Sequence, residues 1–552
     1  MSDSELADVR EAWETTARAW VPRLITQLDR DPTSSSYGCA DRDWWHYKIR
    51  DFPSIILQQA GYTAWLAASM PAFADQADGL RRLAASSVRF WTDRARRWGA
   101  FEEYYPYEQG FPPLAFSTLA AIKLVAAGAI SPGEVSRGMQ IAARQLTTQF
   151  ESEATNQQVA ALAALAWMRR VYPGLVTAEE LEQATQSTLA SQTDEGWYRE
   201  YGGPDLGYLS VALDCLWDAY DASGDERFLR SAIAALRFID TMTGAFGGAP
   251  NGMLFARNTD YILPYGIARF CRYRGDVGDL AARLARVLYA KTHRPEHFLH
   301  AIDDRYVCHY SGHSLLRAIN ELTNQQSRSA DLGAANVPAS PGWSGSELHL
   351  AQSGHFFRIP DGAPSIAIAL KKGGVIAMRA ADGSPASDFG WYLPVRGGRA
   401  VSHWWSDHWQ AERLENGWRI RGRLTLTREQ VSRPWKHTAL RMASWLFGRR
   451  LIGPLKRSMI TGSRQAPWSL TRTILWEGQR VVVNDSIADL TPDLVPMPAP
   501  RASRRHVASA DIYHSEDFNL VQGSWQVERR TRREGKCWMA ETIYTCTGAT
   551  SR

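Results

Sequence analysis

Long apolar runs and clustered cysteines are both absent from this 552-residue chain. No stretch approaches the ~18 consecutive apolar residues that a helix needs to span a bilayer. The six cysteines are scattered, with no C-x-x-C pair and no zinc-ligand spacing, and Cys215 and Cys271 lie in apolar helical patterns typical of buried free thiols. The sequence therefore argues against a membrane-spanning protein and a zinc site, and it implies neither a metal nor a cofactor.

Net charge is also small for a chain of this length. The 63 basic and 58 acidic residues leave a charge of +5, which does not indicate a nucleic-acid partner, although an anionic ligand fits a locally basic cleft. Residues 1–20 are charged and amphipathic and lack the basic and apolar regions of a secretory signal. We expect a cytoplasmic protein, or a periplasmic or secreted one if a leader has been removed.

Aromatic residues are abundant, and one stretch concentrates them beside polar groups. The chain has 22 tryptophans, which fit either a sugar-stacking surface or a large aromatic core. Residues 194–220, DEGWYREYGGPDLGYLSVALDCLWDAY, pass from a polar turn through Gly-Gly-Pro into an apolar helix. Rings, phenols and carboxylates at the start of a helix favour a carbohydrate-active site over a plain connector.

The first part of the chain has helical periodicity almost throughout. About a dozen segments before residue 326 carry apolar residues at a 3.6-residue spacing, separated by Gly, Pro or Asp breaks. Short loops between them predict stacked helical hairpins, in an open solenoid or a closed ring. Because no fixed sequence repeat is present, we predict that residues 1–326 form an (α/α) toroid with a catalytic cleft.

The periodicity changes after a small, polar segment that contains proline and glycine, residues 327–346, which we interpret as a linker. Residues 419–428 and 471–476 alternate in the manner of strands, so we predict an antiparallel β-sandwich over 347–552. A basic amphipathic segment, 438–460, interrupts the strands. It is predicted to be helical, either contacting an anionic membrane surface or packing on the sandwich.

Three groups of polar side chains stand near the starts of helices. Asn156 precedes an alanine-rich helix, Tyr201 and Tyr208 flank the Gly-Gly-Pro turn, and Arg257 lies in GMLFARNTDY. In a toroid, the loops at one end of the inner helices converge on the central cleft, so these groups are expected to meet. Plainer roles are open for each: a helix N-cap for Asn156, a core position for Tyr208, and a loop-closing contact for Arg257.

A helical toroid followed by a sandwich, with Asn, Tyr and Arg at these intervals, resembles the polysaccharide lyases of the chondroitin AC/hyaluronate and heparinase II/III-like groups. The segment TRTILWEGQRVVVND at 471–485 is similar to the heparinase-type sandwich. The resemblance implies β-elimination on an acidic, uronate-containing polysaccharide. Asn156 would neutralise the uronate carboxylate, Tyr208 or Tyr201 would be the acid and base, and Arg257 would support them.

These residue types suit that chemistry. Removing a proton beside a carboxylate requires a donor that holds the carboxylate and stabilises the developing charge. A phenol with an ordinary pKa near 10 is a weak base at neutral pH. A guanidinium beside it favours the phenolate, so a tyrosine and an arginine form a workable pair.

The sequence departs from the family pattern at Gln157, where a histidine is usual, and no histidine lies between residues 150 and 293. His309, a candidate catalytic residue, or His313 or His403 would have to enter the cleft instead. His309 and His313 have the i, i+4 spacing of a metal pair but lack a third matched ligand, so no metal is predicted. His403 alternatively belongs to a cluster at a strand edge.

Substrate contacts are expected from the glycine-rich turn before the helix in 194–220, which we call the elbow, and from aromatic, charged runs at 41–48 and 101–108. The rings would stack on sugars, and the cations would meet carboxylates or sulfates. The alternative for the runs at 41–48 and 101–108 is packing between helices. The candidate substrate-binding residues are Trp44, Trp45, Lys48, Tyr105, Glu108, Trp197, Glu200, Asp205, Asn258, His313 and His403.

Other functions fit the same scaffold. A glycoside hydrolase needs two carboxylates flanking the bond, which Glu200 with Asp205, or Glu102 with Glu108, would supply. A glycan-binding or assembly protein of a capsule or exopolysaccharide system needs the aromatic surface without proton-transfer groups. A uronate epimerase shares the proton abstraction and returns the proton.

Overall fold

The computed structural model describes most of the chain: residues 4–96, 99–244, 246, 248–294, 297–323, 344–428, 433–456, 464–501, 512 and 515–547. The linker predicted over 327–346 lies outside the described residues except for its last three. Among the described residues the last helix of the N-terminal part ends at Thr323, and the first strand begins at Glu347.

Helices fill the N-terminal part of the described chain. They are α1 (Ser4–Gln27), α2 (Arg42–Trp45), α3 (Ala60–Ala67), α4 (Ala77–Arg96), α5 (Phe111–Ala126), α6 (Pro132–Thr148), α7 (Thr155–Val171), α8 (Ala178–Leu189), α9 (Leu206–Ser223), α10 (Glu226–Gly244), α11 (Tyr265–Phe270), α12 (Asp276–Tyr289), α13 (Asp304–Tyr306) and α14 (Gly312–Thr323). Local signals set several ends: Thr177 and Glu180 form a capping box at α8, and Gly224 ends α9 in the left-handed region at φ 70°.

The long helices form a closed double ring. Each inner helix packs against the next in the order α3, α5, α7, α9, α11 and α14, and α14 packs back on α3. Each inner helix also pairs with an outer one, in the same order α4, α6, α8, α10, α12 and α1. Small side chains allow the close approach, since residues 159–166 of α7 are all buried and mostly alanine. The predicted toroid is confirmed.

Antiparallel strands follow the toroid. They are β1 (Glu347–Leu350), β2 (His355–Arg358), β3 (Ser365–Ala369), β4 (Val375–Arg379), β5 (Pro385–Asp388), β6 (Trp391–Val395), β7 (Gly398–Val401), β8 (Gln410–Leu414), β9 (Gly417–Arg428), β10 (Arg464–Glu477), β11 (Arg480–Ala488), β12 (Met497–Pro498), β13 (Trp525–Glu534) and β14 (Cys537–Cys546). The first five form a small sheet in sequence order. The others form a large sheet in the order β12-β6-β7-β9-β10-β11-β14-β13, with β8 added on β9.

The small sheet is the middle layer of the molecule. On one face, Phe357 and Ala377 join the toroid's hydrophobic core. On the other face, Phe356 and Ile368 join the core of the large sheet, where the Phe356 ring stacks on Trp476 with centroids 5.5 Å apart. This two-sided burial explains why β3 is apolar after Ser365 rather than alternating. The predicted antiparallel sandwich is confirmed, and one of its two sheets also covers the toroid.

The basic insertion between β9 and β10 is helical, as α15 (Pro434–Phe447), a short 3₁₀ turn (Gly448–Leu451) and α16 (Ile452–Lys456). The end of the predicted 438–460 segment, from residue 457, lies outside the described residues. The hydroxyl of Ser444 donates to the carbonyl of Pro106 at 2.8 Å, and Arg441 pairs with Asp51. The expectation that this segment packs on the sandwich is wrong in this respect, because these contacts reach the toroid.

Cysteine placement agrees with the sequence. Cys215 and Cys271 are buried as predicted, and no disulfide forms among the described residues. None of the described helices is long and apolar enough to cross a membrane.

Candidate active site

The residues expected to converge lie at one end of the toroid, where the inner helices α7 and α9 begin. Asn156 is in the first turn of α7 and Tyr208 in the first turn of α9. Arg257 follows a short 3₁₀ turn in the loop before α11. Two helix N-termini therefore lie in the same region, where the helix dipoles favour an anionic ligand.

Asn156 is bound to Glu200. Its backbone N–H and its side-chain Nδ2 both donate to Glu200 Oε1, at 3.0 and 2.5 Å. The N-cap position of α7 is Ala154, and Asn156 makes no capping bond, so the N-cap role suggested for it is wrong. This contact, between residues 44 positions apart, joins the start of α7 to the turn before α9.

Glu200 is the most unusual carboxyl group of the site. It is 1% exposed, and its Oε2 has no hydrogen-bond partner among the described residues. Burial raises its pKa to about 8, against the opposing effects of the Asn156 bonds and the Arg257 charge. Glu200 is therefore mostly protonated at neutral pH.

Asp205 connects the start of α9 to the loop that carries Arg257. It caps α9 by accepting from the Tyr208 N–H at 3.2 Å, and it also accepts from the N–H groups of Arg257 at 3.1 Å and Thr259 at 3.3 Å. The hydroxyl of Thr259 donates to it as well. With four donors and 1% exposure, Asp205 fixes the positions of Tyr208 and Arg257 rather than contacting substrate.

Arg257 covers the face of Tyr201. Its guanidinium carbon lies 4.2 Å from the centre of that ring. The side chain is largely buried, and Nε and Nη1 have no hydrogen-bond partner among the described residues. Tyr201 is held at φ 53° by a bond from its N–H to the Glu153 carbonyl at 2.7 Å. Burial raises the pKa of Tyr201, and the Arg257 charge only partly offsets that effect.

Tyr208 is half-buried among other phenols. Its ring meets Tyr261 edge-on with centroids 6.2 Å apart, and the Tyr261 and Tyr310 hydroxyls lie 3.0 Å apart. Tyr208 also acts electrostatically on Tyr104 and Tyr306, contributing to the raised pKa of each. Tyr208 therefore occupies the suggested core position only in part, because part of its side chain remains accessible to solvent.

Sequence reasoning missed three members of this neighbourhood. Glu103 is buried, which raises its pKa to about 7, and its carboxylate in turn raises the pKa of Tyr104. Tyr104 is 68% exposed. Tyr306 ends α13 and is close enough to Glu103 and Tyr208 for both to contribute to its raised pKa. The run at 101–108 was singled out for other residues, and nothing local to Tyr306 in the sequence indicates its position.

The three candidate histidines are poor replacements for the histidine that is usual in the family at the position of Gln157. His309 lies in a π-helical turn (Val307–Ser311), 3% exposed and 4.9 Å from the Tyr306 ring. Burial lowers its pKa to about 3, so it is neutral at physiological pH. His313 is also buried, with Nε2 3.3 Å from Gln59 Oε1, and burial lowers its pKa well below the usual range. His403 is 5% exposed.

No group of three or more His, Cys, Asp or Glu side chains is arranged to hold a metal ion within the part of the chain that the structure describes.

Several residues expected to contact substrate are built into the framework instead. Trp197 is 5% exposed, with its indole N–H on Glu195 at 3.0 Å. Glu108 accepts from the N–H groups of residues 103 and 104 at 2.9 and 2.7 Å and so closes its own loop. The Trp45 indole donates to the Gln27 carbonyl at 2.8 Å. Trp197 and Glu108 are thus buried in the framework rather than facing a sugar, whereas Trp45 is only partly buried.

The remaining substrate-binding candidates of the two aromatic runs are less firmly built into the protein framework. The Trp44 ring lies under the Arg94 guanidinium at 4.8 Å and beside Phe90, which fits the packing alternative. Lys48 is exposed in the left-handed region at φ 55°. Tyr105 is partly buried, and burial raises its pKa.

The small sheet supports the site from the other side. The buried Lys372 ammonium donates to the Asn258 side-chain oxygen and the Phe255 carbonyl. Asn258, expected to contact substrate, is 4% exposed at φ 61° and is instead part of this clamp on the Arg257 loop. Burial lowers the pKa of Lys372 to about 7.

The fold and the site together define an (α/α) toroid with an antiparallel β-sandwich and a cluster of Asn, Glu, Arg and Tyr at the toroid's helix N-termini. No protein-family model matches the chain, and no curated protein matches its sequence. Among solved structures, a chondroitin AC lyase of Streptomyces coelicolor A3 in complex with chondroitin sulphate is similar at 11% identity and a TM-score of 0.44, covering 99% of this chain and 80% of that one. A mutant of the heparan sulfate lyase HepC from Pedobacter heparinus is similar at 10% identity and a TM-score of 0.37, covering 97% and 84%.

Proposed function

We propose that the protein is a polysaccharide lyase that cleaves a uronate-containing polysaccharide by β-elimination, without a redox cofactor. The observation that carries the proposal is the convergence of Asn156, Arg257 and Tyr208 at the N-terminal ends of inner helices. An amide, a guanidinium with unused N–H groups and a half-exposed phenol are the groups that such an elimination needs.

The uronate carboxylate would lie between Asn156, Arg257 and the start of α7. Nε and Nη1 of Arg257 have no hydrogen-bond partner among the described residues, so they are available to a carboxylate. The protonated Glu200 adds no negative charge that would repel the substrate. When the C5 proton leaves, the charge that develops on the carboxylate is stabilised by the same donors.

Tyr208 is the better of the two candidate bases. The face of Tyr201 is covered by Arg257, and its pKa is raised by burial, so Tyr201 positions the arginine. Tyr208 stands on the first turn of α9, where the helix dipole favours a phenolate. The phenolate would take the C5 proton, the C–H electrons would form the C4=C5 double bond, and the C4–O bond would break. The resulting phenol would then protonate the leaving oxygen.

A hydrolytic mechanism is not proposed, because each candidate pair contains a carboxylate that is already engaged. Asp205 accepts from four donors, and Glu108 accepts from two backbone N–H groups. Glu102 accepts from the Tyr107 N–H at 2.8 Å. A hydrolase needs one carboxylate free to act as nucleophile or base and one free to act as acid.

The proposal is tested by incubating the purified protein with a panel of uronate-containing polysaccharides, both sulfated and unsulfated. We expect a rise in ultraviolet absorbance from the unsaturated uronate, matched by an equal number of new reducing ends. Reducing ends without absorbance would indicate hydrolysis and contradict the proposal. Binding of a polymer with neither product would indicate a binding or assembly protein.

A further inference from the structure

Helix α15 presents an apolar face to solvent. The side chains of Trp435, Met442, Trp445 and Leu446 are each 61 to 64% exposed. On a helix of 3.6 residues per turn, positions 435, 442 and 446 lie within about 40° of one another, and position 445 borders them. The four side chains therefore form one continuous surface, which we call the α15 apolar face.

The opposite side of the same helix faces the protein. Ser444 is 1% exposed and bonded to the Pro106 carbonyl, and Leu440 and Ala443 are partly buried. On a surface helix the apolar side normally faces the core. Here the helix is fixed to the toroid by a small polar contact and the Arg441–Asp51 ion pair, so the α15 apolar face is not needed for its attachment.

The charge around this face has one sign. Residues 433–456 contain six Lys or Arg residues and no Asp or Glu. Arg449 and Arg450 are exposed directly after the helix, and Lys436 is exposed near its start. Exposed tryptophans and aliphatic side chains on one face, with cations beside them, are the composition of helices that lie in a membrane interface.

We propose that α15 and the 3₁₀ turn after it dock the protein peripherally on an anionic lipid surface. The apolar face enters the boundary between headgroups and acyl chains, and the cations meet lipid phosphates. A glycan platform is a weaker explanation, because Met442 and Leu446 have no aromatic ring to stack on a sugar. Since Ser444 contacts the loop between α4 and α5, docking brings this loop of the toroid close to the lipid surface.

The test is cosedimentation of the full chain with vesicles of phosphatidylcholine alone and of phosphatidylcholine with one-third phosphatidylglycerol. We expect binding to the anionic vesicles only, reduced at least fivefold by high salt because the attraction is partly electrostatic. The double variant Met442→Glu/Leu446→Glu should lower the partition coefficient at least tenfold. Its control is Val495→Glu/Phe518→Glu, which places the same two charges at apolar sites 60% and 86% exposed on the sheet part and should not change binding.

A second pair of variants separates charge from apolar contact. Arg449→Glu/Arg450→Glu should weaken anionic vesicle binding, whereas Arg530→Glu/Arg532→Glu, at exposed positions on β13, should not. Circular dichroism and thermal melting verify that each variant folds. The proposal is overturned if the wild type ignores anionic vesicles, or if the α15 variants bind them as well as the controls do. It is also overturned if the α15 variants lose only polysaccharide binding or only self-association.

Discussion

At the scale of single residues, Glu200 links burial to the chemistry of an anion site. Removal from water raises its pKa to about 8, although Asn156 donates to it twice. A carboxyl group that stays protonated at neutral pH leaves the neighbouring Arg257 charge available to a ligand. Above that pKa the same group carries a negative charge in the place where the uronate is proposed to bind.

This property predicts a pH dependence. Because the pKa is raised, Glu200 is neutral below about pH 8 and charged above it, so the KM of the wild type should rise severalfold between pH 7 and 9. The variant Glu200→Gln cannot ionise, and its KM should change much less over the same interval. Steady-state kinetics on both proteins checks this; an equal alkaline rise in KM would contradict the role given to Glu200.

The sequence predicted part of the site at this scale. Asn156, Tyr208 and Arg257 were expected to meet because each stands near a helix start, and the ring brings those starts together. The sequence could not tell a substrate contact from a support: Asp205 and Asn258 carry the same polar groups but are engaged by backbone N–H groups and by Lys372. Those partners are set by the tertiary fold.

At the scale of elements, the Gly-Gly turn before α9 is shaped by the sandwich. A Cβ on Gly203 would lie 2.2 Å from the Trp405 ring, and Gly202 has φ 104°. Trp405 follows β7 and is buried against this turn. The sheet part therefore packs directly against the elbow that carries Tyr201 and Asp205.

We predict that Gly203→Ala destabilises the protein by about 1–3 kcal/mol, because the indole and the turn must separate. The lyase activity should fall more than the stability loss explains, since the elbow also positions Tyr201. Urea denaturation and initial rates measure the two effects. The control Gly133→Ala, in α6 with open space around its Cβ, should lose neither; equal behaviour of the two variants would contradict the proposed contact.

Element types followed from periodicity, but their partners did not. The helical and strand patterns predicted the toroid and the sandwich, since 3.6-residue and alternating spacings differ clearly. The position of α15 was not predictable, because Ser444 bonds to a carbonyl 338 residues earlier in the chain. The pattern gave an amphipathic helix without indicating which of its faces would be exposed.

At the scale of the whole molecule, a buried ion cluster ties three inner helices across the ring. Asp218 on α9 pairs with Lys123 on α5 and with Arg317 on α14, whose guanidinium donates at 2.6 and 3.1 Å. All three side chains are at most 9% exposed. Because the three helices belong to one closed ring, they cannot separate independently. Each of these buried charges therefore depends on the others for compensation.

Removing the shared carboxylate should be costly. Asp218→Asn leaves two buried cations without their counter-charge, and we expect a loss of about 3–5 kcal/mol in the free energy of unfolding. Chemical denaturation provides the measurement. The exposed pair of Glu182 with Arg227 gives the control: Glu182→Gln should change stability little. Comparable losses in both variants would mean that the cluster has no special role in closing the ring.

The proposed chemistry rests most directly on Tyr208, and one comparison tests it. On the best substrate of the polysaccharide panel, the rate of unsaturated product formation should fall at least 1,000-fold in Tyr208→Phe, an estimate from the usual contribution of acid–base catalysis on both proton transfers. The control Tyr172→Phe alters a remote tyrosine whose hydroxyl donates to the Pro132 carbonyl, and it should keep the wild-type rate. A Tyr208→Phe protein that forms product as fast as the control would contradict the account of this site as a tyrosine-dependent lyase.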